Sequence, residues 1–443
     1  MKLAVVVQRY GQNLSGGAEL HARYVAERLA RHVDVEVLTS CAHDYITWRN
    51  ELAAGVDRVN GLLVRRFPVR CERNVEEFGR RSIRVFEETH SIADELTWLD
   101  SEGPTSPALI KYLHANARTY DYFIFFSYRY YHAFHGIRAV SSRALLVPTA
   151  ERDPAIGLAI FGPLFRGVRA IMYNSFEERA LINAVSGNTL VPGVVVGVGS
   201  EIPDQPNAER FRRKTGIWGP FAIYVGRIDE NKGCKDLFDH FQRYATHVSY
   251  NLSLVLVGNS LLPVPSHTRI KHLGFVSDQD KFDALAAADV LIMPSHFESL
   301  SMVANESWAL GRPVLANGRC DVLKGQCIRS NAGLYYENYA EFAETLSALE
   351  TNATLRTVLG TRGRDYFRRY YAWPVIERKY LEMLDQLEQN KSSEQSHQLE
   401  PLPTWFARRR RNLMPSREIV DILPTGPVMN NLGQTEILPG ACS

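Results

Sequence analysis

Short β-branched and aromatic runs alternate with longer stretches of helical periodicity, and this alternation constrains the fold more than any other feature. LAVVV (3–7) reads as a fully buried strand, a loop runs from Gly11 to Gly17, and Ala18, Ala22, Val25, Ala26 and Leu29 then share one helical face. VDVEVL, YDYFIFF, RALLVPTA and VRAIMYN continue the rhythm, as a parallel sheet covered by helices requires. GVVVGVG (193–199) reads as a further strand leading toward a linker. From 199 to 220, GSEIPDQPNAERFRRKTGIWGP gathers prolines, glycines and charges, and the rhythm restarts with FAIYVG, LSLVLVG, IKHLGFV, DVLIMP, RPVLAN and AGLYY. The expected fold class is α/β, with two Rossmann-like doubly wound domains, 1–200 and 201–372, facing a central cleft. WPVIERKYLEMLDQLEQ (373–389) sets Val375, Tyr380, Leu381, Leu384 and Leu387 near one face and predicts a helix that crosses back over that cleft. The tail, 390–443, is polar with a basic run, ARRRRN, and is expected to be largely disordered.

Several classes of function are disfavoured by composition. A chain of 443 residues, 45% hydrophobic, can bury a core of two domains or more. Its 51 basic residues against 49 acidic ones give no electrostatic reason to expect nucleic acid as a partner. The six cysteines show no C-x-x-C spacing and suit a reducing cytoplasm. MKLAVVVQRYGQ reads as a first strand rather than a signal peptide. No window supplies the ~18 apolar residues of a membrane span. Peripheral contact at the inner membrane face stays open, since VRRFPVRCERNVEEFGRRSIRVF and WFARRRRNLM gather arginines with aromatics that suit anionic lipid, a charged glycan or a solvated face equally.

Two carboxylates eight positions apart raise the question of function. In HFESLSMVANESWALGRPVLANG, Glu298 sits in the turn after a strand and Glu306 about two turns into the helix that follows. A nucleotide sugar has hydroxyl-rich ends for both, while the helix-start amides near Ser299, Leu300, Ser301 and Met302 face its diphosphate. An ordinary solvated helix glutamate is the alternative for Glu306. In YVGRIDENKG the strand ends at Gly226, and Arg227 and Lys232 follow where open α/β sheets bind ligands; both cations suit a diphosphate leaving group. A charged surface turn is the alternative there. LSGGAE places Gly16 and Gly17 before the first helix, either for close approach to an anion or as a plain turn. In GFVSDQDKF, Asp278 and Asp280 read as first-turn residues capped by Ser277 in preference to a metal site. No H-E-x-x-H or G-x-S-x-G pattern occurs, and neither a metal nor a cofactor is expected.

Taken in order, the glycine pair, G-R-x-x-x-x-K-G and E-x7-E resemble the retaining glycosyltransferases of the GT-B superfamily known as group 1 or family 4, over about 1–388. The resemblance implies a donor nucleotide bound mainly by the C-terminal domain and an acceptor held mainly by the N-terminal one. By that analogy Arg227 and Lys232 contact the diphosphate, Glu306 the ribose and Glu298 the transferred hexose-type sugar. Gly274, Phe275 and Val276 then lie by the base, and Gly16 and Gly17 close over the phosphates. Two departures stand out. Residues 299–303 read SLSMV where many relatives have glycines and a proline. PTAERDP sets Glu151 where some relatives carry a histidine, so Glu151 is a cleft candidate beside its reading as a solvated loop carboxylate. The implied partners are a nucleotide-sugar donor and a glycan, lipid-linked or small-molecule acceptor. A sugar-nucleotide epimerase on the same fold and a non-catalytic nucleotide-sugar sensor are the rival readings.

Overall fold

The first strand, β1 (Lys2–Val7), is buried at every position from Leu3 onward, as a parallel strand covered on both faces must be. Around it form β2 (Asp34–Ser40), β3 (Gly55–Val59), β4 (Leu62–Phe67), β5 (Tyr122–Phe126), β6 (Ala144–Val147), β7 (Ala170–Tyr173) and β8 (Gly193–Val195). They make one sheet in the order β3-β4-β2-β1-β5-β6-β7-β8, in which only the β3–β4 pair is antiparallel. Register is fixed by the buried runs: Val5 lies between Val37 and Ile124. That antiparallel hairpin was not anticipated from hydrophobic alternation. Its local signal was Asn60-Gly61, both at positive φ (50° and 85°), the dipeptide that a two-residue hairpin turn selects.

A second sheet follows, built from β9 (Phe221–Val225), β10 (Ser253–Val257), β11 (Ile270–His272), β12 (Val290–Met293), β13 (Val314–Asn317) and β14 (Gly333–Tyr336). All its pairs are parallel, in the order β11-β10-β9-β12-β13-β14. The order reverses between β9 and β12, which opens a crevice at their carboxyl ends. Each sheet carries a hydrophobic cluster on both faces, giving four in all and the α/β architecture of two Rossmann-like units. The structure, a computed structural model, describes residues 1–390 except 13, 15, 249 and 250, with 402, 428–429 and 435–436 beyond them. The basic run of the tail lies outside the described residues.

Helix Trp373–Gln389 joins the core of the first sheet although it follows the second in sequence. Its buried stripe is Trp373, Ile376, Tyr380, Met383, Leu384 and Leu387, so Ile376 and Met383 point inward where periodicity pointed to Val375 and Leu381. Trp373 fixes the phase: its ring meets Tyr24 edge-on at 5.8 Å and lies under Arg28. Gly199 leaves room for that indole, because a Cβ there would sit 2.7 Å from it. Six large apolar side chains at ~1.5–3 kcal/mol each hold the helix far more strongly than exposed ion pairs, worth ~1 kcal/mol or less, hold the two units to each other. No helix of the described residues is long and apolar enough to cross a membrane.

Candidate functional site

The turn after β9 is organised by Asp229, which the sequence reading passed over although it lies between the two cations it positions. One carboxylate oxygen accepts from the Lys232 amide at 2.8 Å, and the other pairs with Arg227 Nε. Gly233 then turns the chain at φ 69°, where a Cβ would lie 2.1 Å from the Pro294 carbonyl; only glycine lets this turn press against the end of β12. Glu298 emerges from that end. Lys232 Nζ consequently meets Glu298 Oε1 at 2.8 Å, with the glutamate side chain 11% exposed. Burial works against the Lys232 charge, but the Glu298 and Glu151 carboxylates outweigh it and hold the ammonium above the usual lysine range.

Glu306 has its own lysine. Ser301 caps helix Met302–Ala309 by accepting from the Ala304 amide at 3.2 Å, and Glu306 in this helix is buried. Its Oε1 accepts from Lys281 Nζ at 3.0 Å, while Oε2 is buried with no partner among the described residues. Burial pushes the Glu306 carboxyl up and Lys281 pulls it back. The two glutamates are thus held in separate lysine pairs, and Glu306 lies outside the lining of the hollow around Glu298. Lys281 belongs to helix Asp278–Ala287, which Ser277 caps by accepting from the Asp280 amide at 3.1 Å.

The first sheet supplies the opposite wall. Arg227 Nη1 donates to Tyr45 Oη at 2.7 Å, Asn174 Nδ2 to Ser299 Oγ at 3.5 Å, and Arg152 pairs with Asp321 at 2.8 Å. Tyr45, Glu151 and Asn174 follow β2, β6 and β7, so the loops at the carboxyl ends of both sheets face one another. Between them lies a hollow lined by Glu151, Glu178, His296, Phe297, Glu298 and Arg319, among others. Buried Glu178 accepts from the amides of Ala150 at 2.6 Å and Asn174 at 2.5 Å. Burial nevertheless lifts its carboxyl to about 8, and burial with the nearby Glu298 charge lifts Glu151 to about 7.

The remaining candidates have definite places. Gly16, at φ 149°, abuts the buried Arg9–Glu19 pair, where a Cβ would meet Glu19 Oε2 at 2.3 Å; Gly17 opens helix Gly17–Leu29 beside empty space. Gly226 directly follows β9, and Gly274 follows β11 and accepts from the Gly258 amide at 2.8 Å. Next to it Phe275 is 72% exposed, whereas Val276 packs on the second core. The Leu300 and Ser301 side chains are taken by core and cap, which leaves their main chain for a ligand; Met302 bridges the cores of the two sheets. Tyr45, Asn174, Glu178 and Lys281 carry no sequence signal, since each reaches the site from a distant element. Among the described residues, no cluster of three or more His, Cys, Asp or Glu is arranged to hold a metal ion.

Residues 219–352 match the family model described as Glycosyl transferases group 1. Lipopolysaccharide core biosynthesis glycosyltransferase LpsE of Rhizobium meliloti is 27% identical over 187 residues, 40% of this chain and 53% of that protein. Mannosylfructose-phosphate synthase of Agrobacterium fabrum is 23% identical over 202 residues, 40% of this chain and 43% of that protein. The chain thus spans about half the length of the curated relatives it matches. The solved structure of Anabaena HepE in complex with UDP and glucose superposes with a TM-score of 0.63 at 15% identity, over 87% of this chain and all of that one.

Proposed function

Given a group 1 glycosyl transferase segment at residues 219–352 and a GT-B fold along most of the chain, we propose that the protein moves a hexose-type sugar from a nucleoside diphosphate to a hydroxyl of a glycan, lipid-linked or small-molecule acceptor, with retention of configuration. The observation that carries this reading is that Glu298, bonded to Lys232, shares one hollow with Glu151 from the other sheet, while Arg227 in the same turn as Lys232 reaches across to Tyr45. The diphosphate enters beside Lys232 and Arg227. As the bond from the anomeric carbon to the phosphate oxygen breaks, negative charge grows on the leaving diphosphate, and two preorganised cations stabilise it without a metal. The acceptor hydroxyl attacks from the same face, and the departing phosphate oxygen takes its proton.

Glu298 orients the sugar through its free acceptor positions while Lys232 fixes its rotamer. Ribose hydroxyls donate to the Oε2 of Glu306, which no group among the described residues satisfies. Exposed Phe275 offers a face on which the base stacks. HepE, the structural neighbour crystallised with UDP and glucose, supports a uridine nucleotide as the first donor to try. The test incubates the protein with nucleotide sugars and candidate acceptors and follows diphosphate release and product mass. Transfer predicts release that depends on acceptor and a product with retained anomeric configuration. Isomerised donor identifies an epimerase, and binding without turnover a sensor.

A further inference from the structure

The first sheet's wall of the hollow presents one carboxyl that has no partner. Glu151 lines the hollow together with Glu298, and it makes no hydrogen bond or ion pair among the described residues. The cations facing it, solvent-exposed Arg319 excepted, are engaged elsewhere. Lys232 is bonded to Glu298 at 2.8 Å, and Arg129 bridges Asp153 at 2.6 Å and Glu102 at 2.8 Å. Arg152 reaches Asp321, His296 reaches Asp236, and Arg319 stands exposed at the rim. The carboxylates near Glu151 are Glu298, Asp153 and Glu178, the last accepting from two main-chain amides; Tyr128 and Cys320 complete the ionisable surroundings. One lysine therefore serves two carboxylates, and like charges this close favour a proton on one of them. Glu298 has the lysine, which leaves the proton to Glu151.

We propose that Glu151 works as a neutral carboxylic acid that donates its hydroxyl hydrogen to an oxygen of the sugar seated beside Glu298. The inference rests on the transferase reading and deepens it, because it names a contact that selects for the sugar. Burial first, then the charges of Glu298 and Asp153 acting against Lys232 and Arg129, lift this carboxyl to about 7, so the donor is present in weakly acid solution and lost above neutrality. Once ionised, the group can only accept, and the contact to the sugar oxygen is lost. A side-chain amide donates at every pH, so Glu151→Gln imitates the protonated state permanently.

The experiment measures affinity for a panel of nucleoside diphosphate sugars by calorimetry, between about pH 6 and about pH 9, in the full-length protein, Glu151→Gln and Glu151→Ala. Wild-type affinity should fall about ten-fold as the pH rises through the range, one lost hydrogen bond to a polar group. Glu151→Gln should hold the weakly acid affinity throughout, and Glu151→Ala should bind weakly at every pH. Both variants should match the wild type toward the nucleoside diphosphate alone. A wild-type sugar-nucleotide affinity that does not change with pH overturns the contact, as does an unaltered pH dependence in Glu151→Gln or, should that variant not fold, in Glu151→Ala. Failure to bind any nucleotide sugar overturns the transferase reading itself and the contact with it.

Discussion

At the scale of single residues, each of the two glutamates that drew attention in the sequence is held by its own lysine, and the two pairs should fail differently. On the transferase reading, Lys232→Ala removes charge stabilisation from the leaving diphosphate and should lower kcat by about 100- to 1,000-fold. It also strands Glu298 and Glu151 beside each other without a cation. Native carboxyls raised above their unfolded values bind protons that the unfolded chain has already released, so stability falls as pH climbs through that window. The melting temperature of Lys232→Ala should accordingly drop less at about pH 6 than at about pH 8 relative to wild type. Glu306→Gln keeps the shape of the side chain but forfeits a charged acceptor, so donor KM should rise about 10- to 100-fold, with kcat changed far less. Steady-state kinetics over both variants checks the division.

Among elements, the turn Arg227–Gly233 shows how local sequence and tertiary contact combine. Asp229 organises it from within, and that much is readable from YVGRIDENKG once a carboxylate between two cations is noticed. The demand for glycine at 233 comes from the Pro294 carbonyl on a strand more than fifty residues away, which no local pattern announces. Gly233→Ala should lower the melting temperature by several degrees, through strain at positive φ and a displaced β12 end, and should reduce kcat with it because Lys232 moves. A correct β12 end with unchanged activity in this variant would detach the turn from catalysis. Helix Trp373–Gln389 teaches the same lesson in packing: its 3.6-residue period was legible, but the phase of its buried stripe was set by where Trp373 meets Tyr24.

Across the whole molecule, polar contacts close the cleft where the loops of the two sheets meet. Arg329 grips Glu177 with both terminal nitrogens, and Gly325, one turn earlier in helix Asp321–Ser330, provides the notch: a Cβ there would lie 1.9 Å from Glu177 Oε1. A glycine inside a helix costs about 1 kcal/mol against alanine, so the contact has a measurable counterpart. Gly325→Ala should leave the melting temperature equal or higher while expelling Glu177. Small-angle scattering should then show a larger radius of gyration than wild type at low salt, with the difference shrinking as salt loosens the wild-type pairs. An unchanged radius would show that these pairs do not set the spacing of the two halves.

By itself the sequence determined the class of fold and the candidate residues for a diphosphate, because β-branched runs, helical periods, a cap such as Ser277 and the clustering of Arg227 with Lys232 are all consequences of neighbours in the chain. The β3–β4 hairpin escaped notice because its signal was a two-residue turn rather than a run. Only the tertiary structure decided the partners: Lys281 for Glu306, Tyr45 for Arg227, Glu178 for the Ala150 amide and, at Glu151, none among the described residues. Those pairings depend on which loops two separately folded sheets bring within about 3 Å, the range over which hydrogen bonds and charge pairs act. Separation along the chain carries no information about that distance.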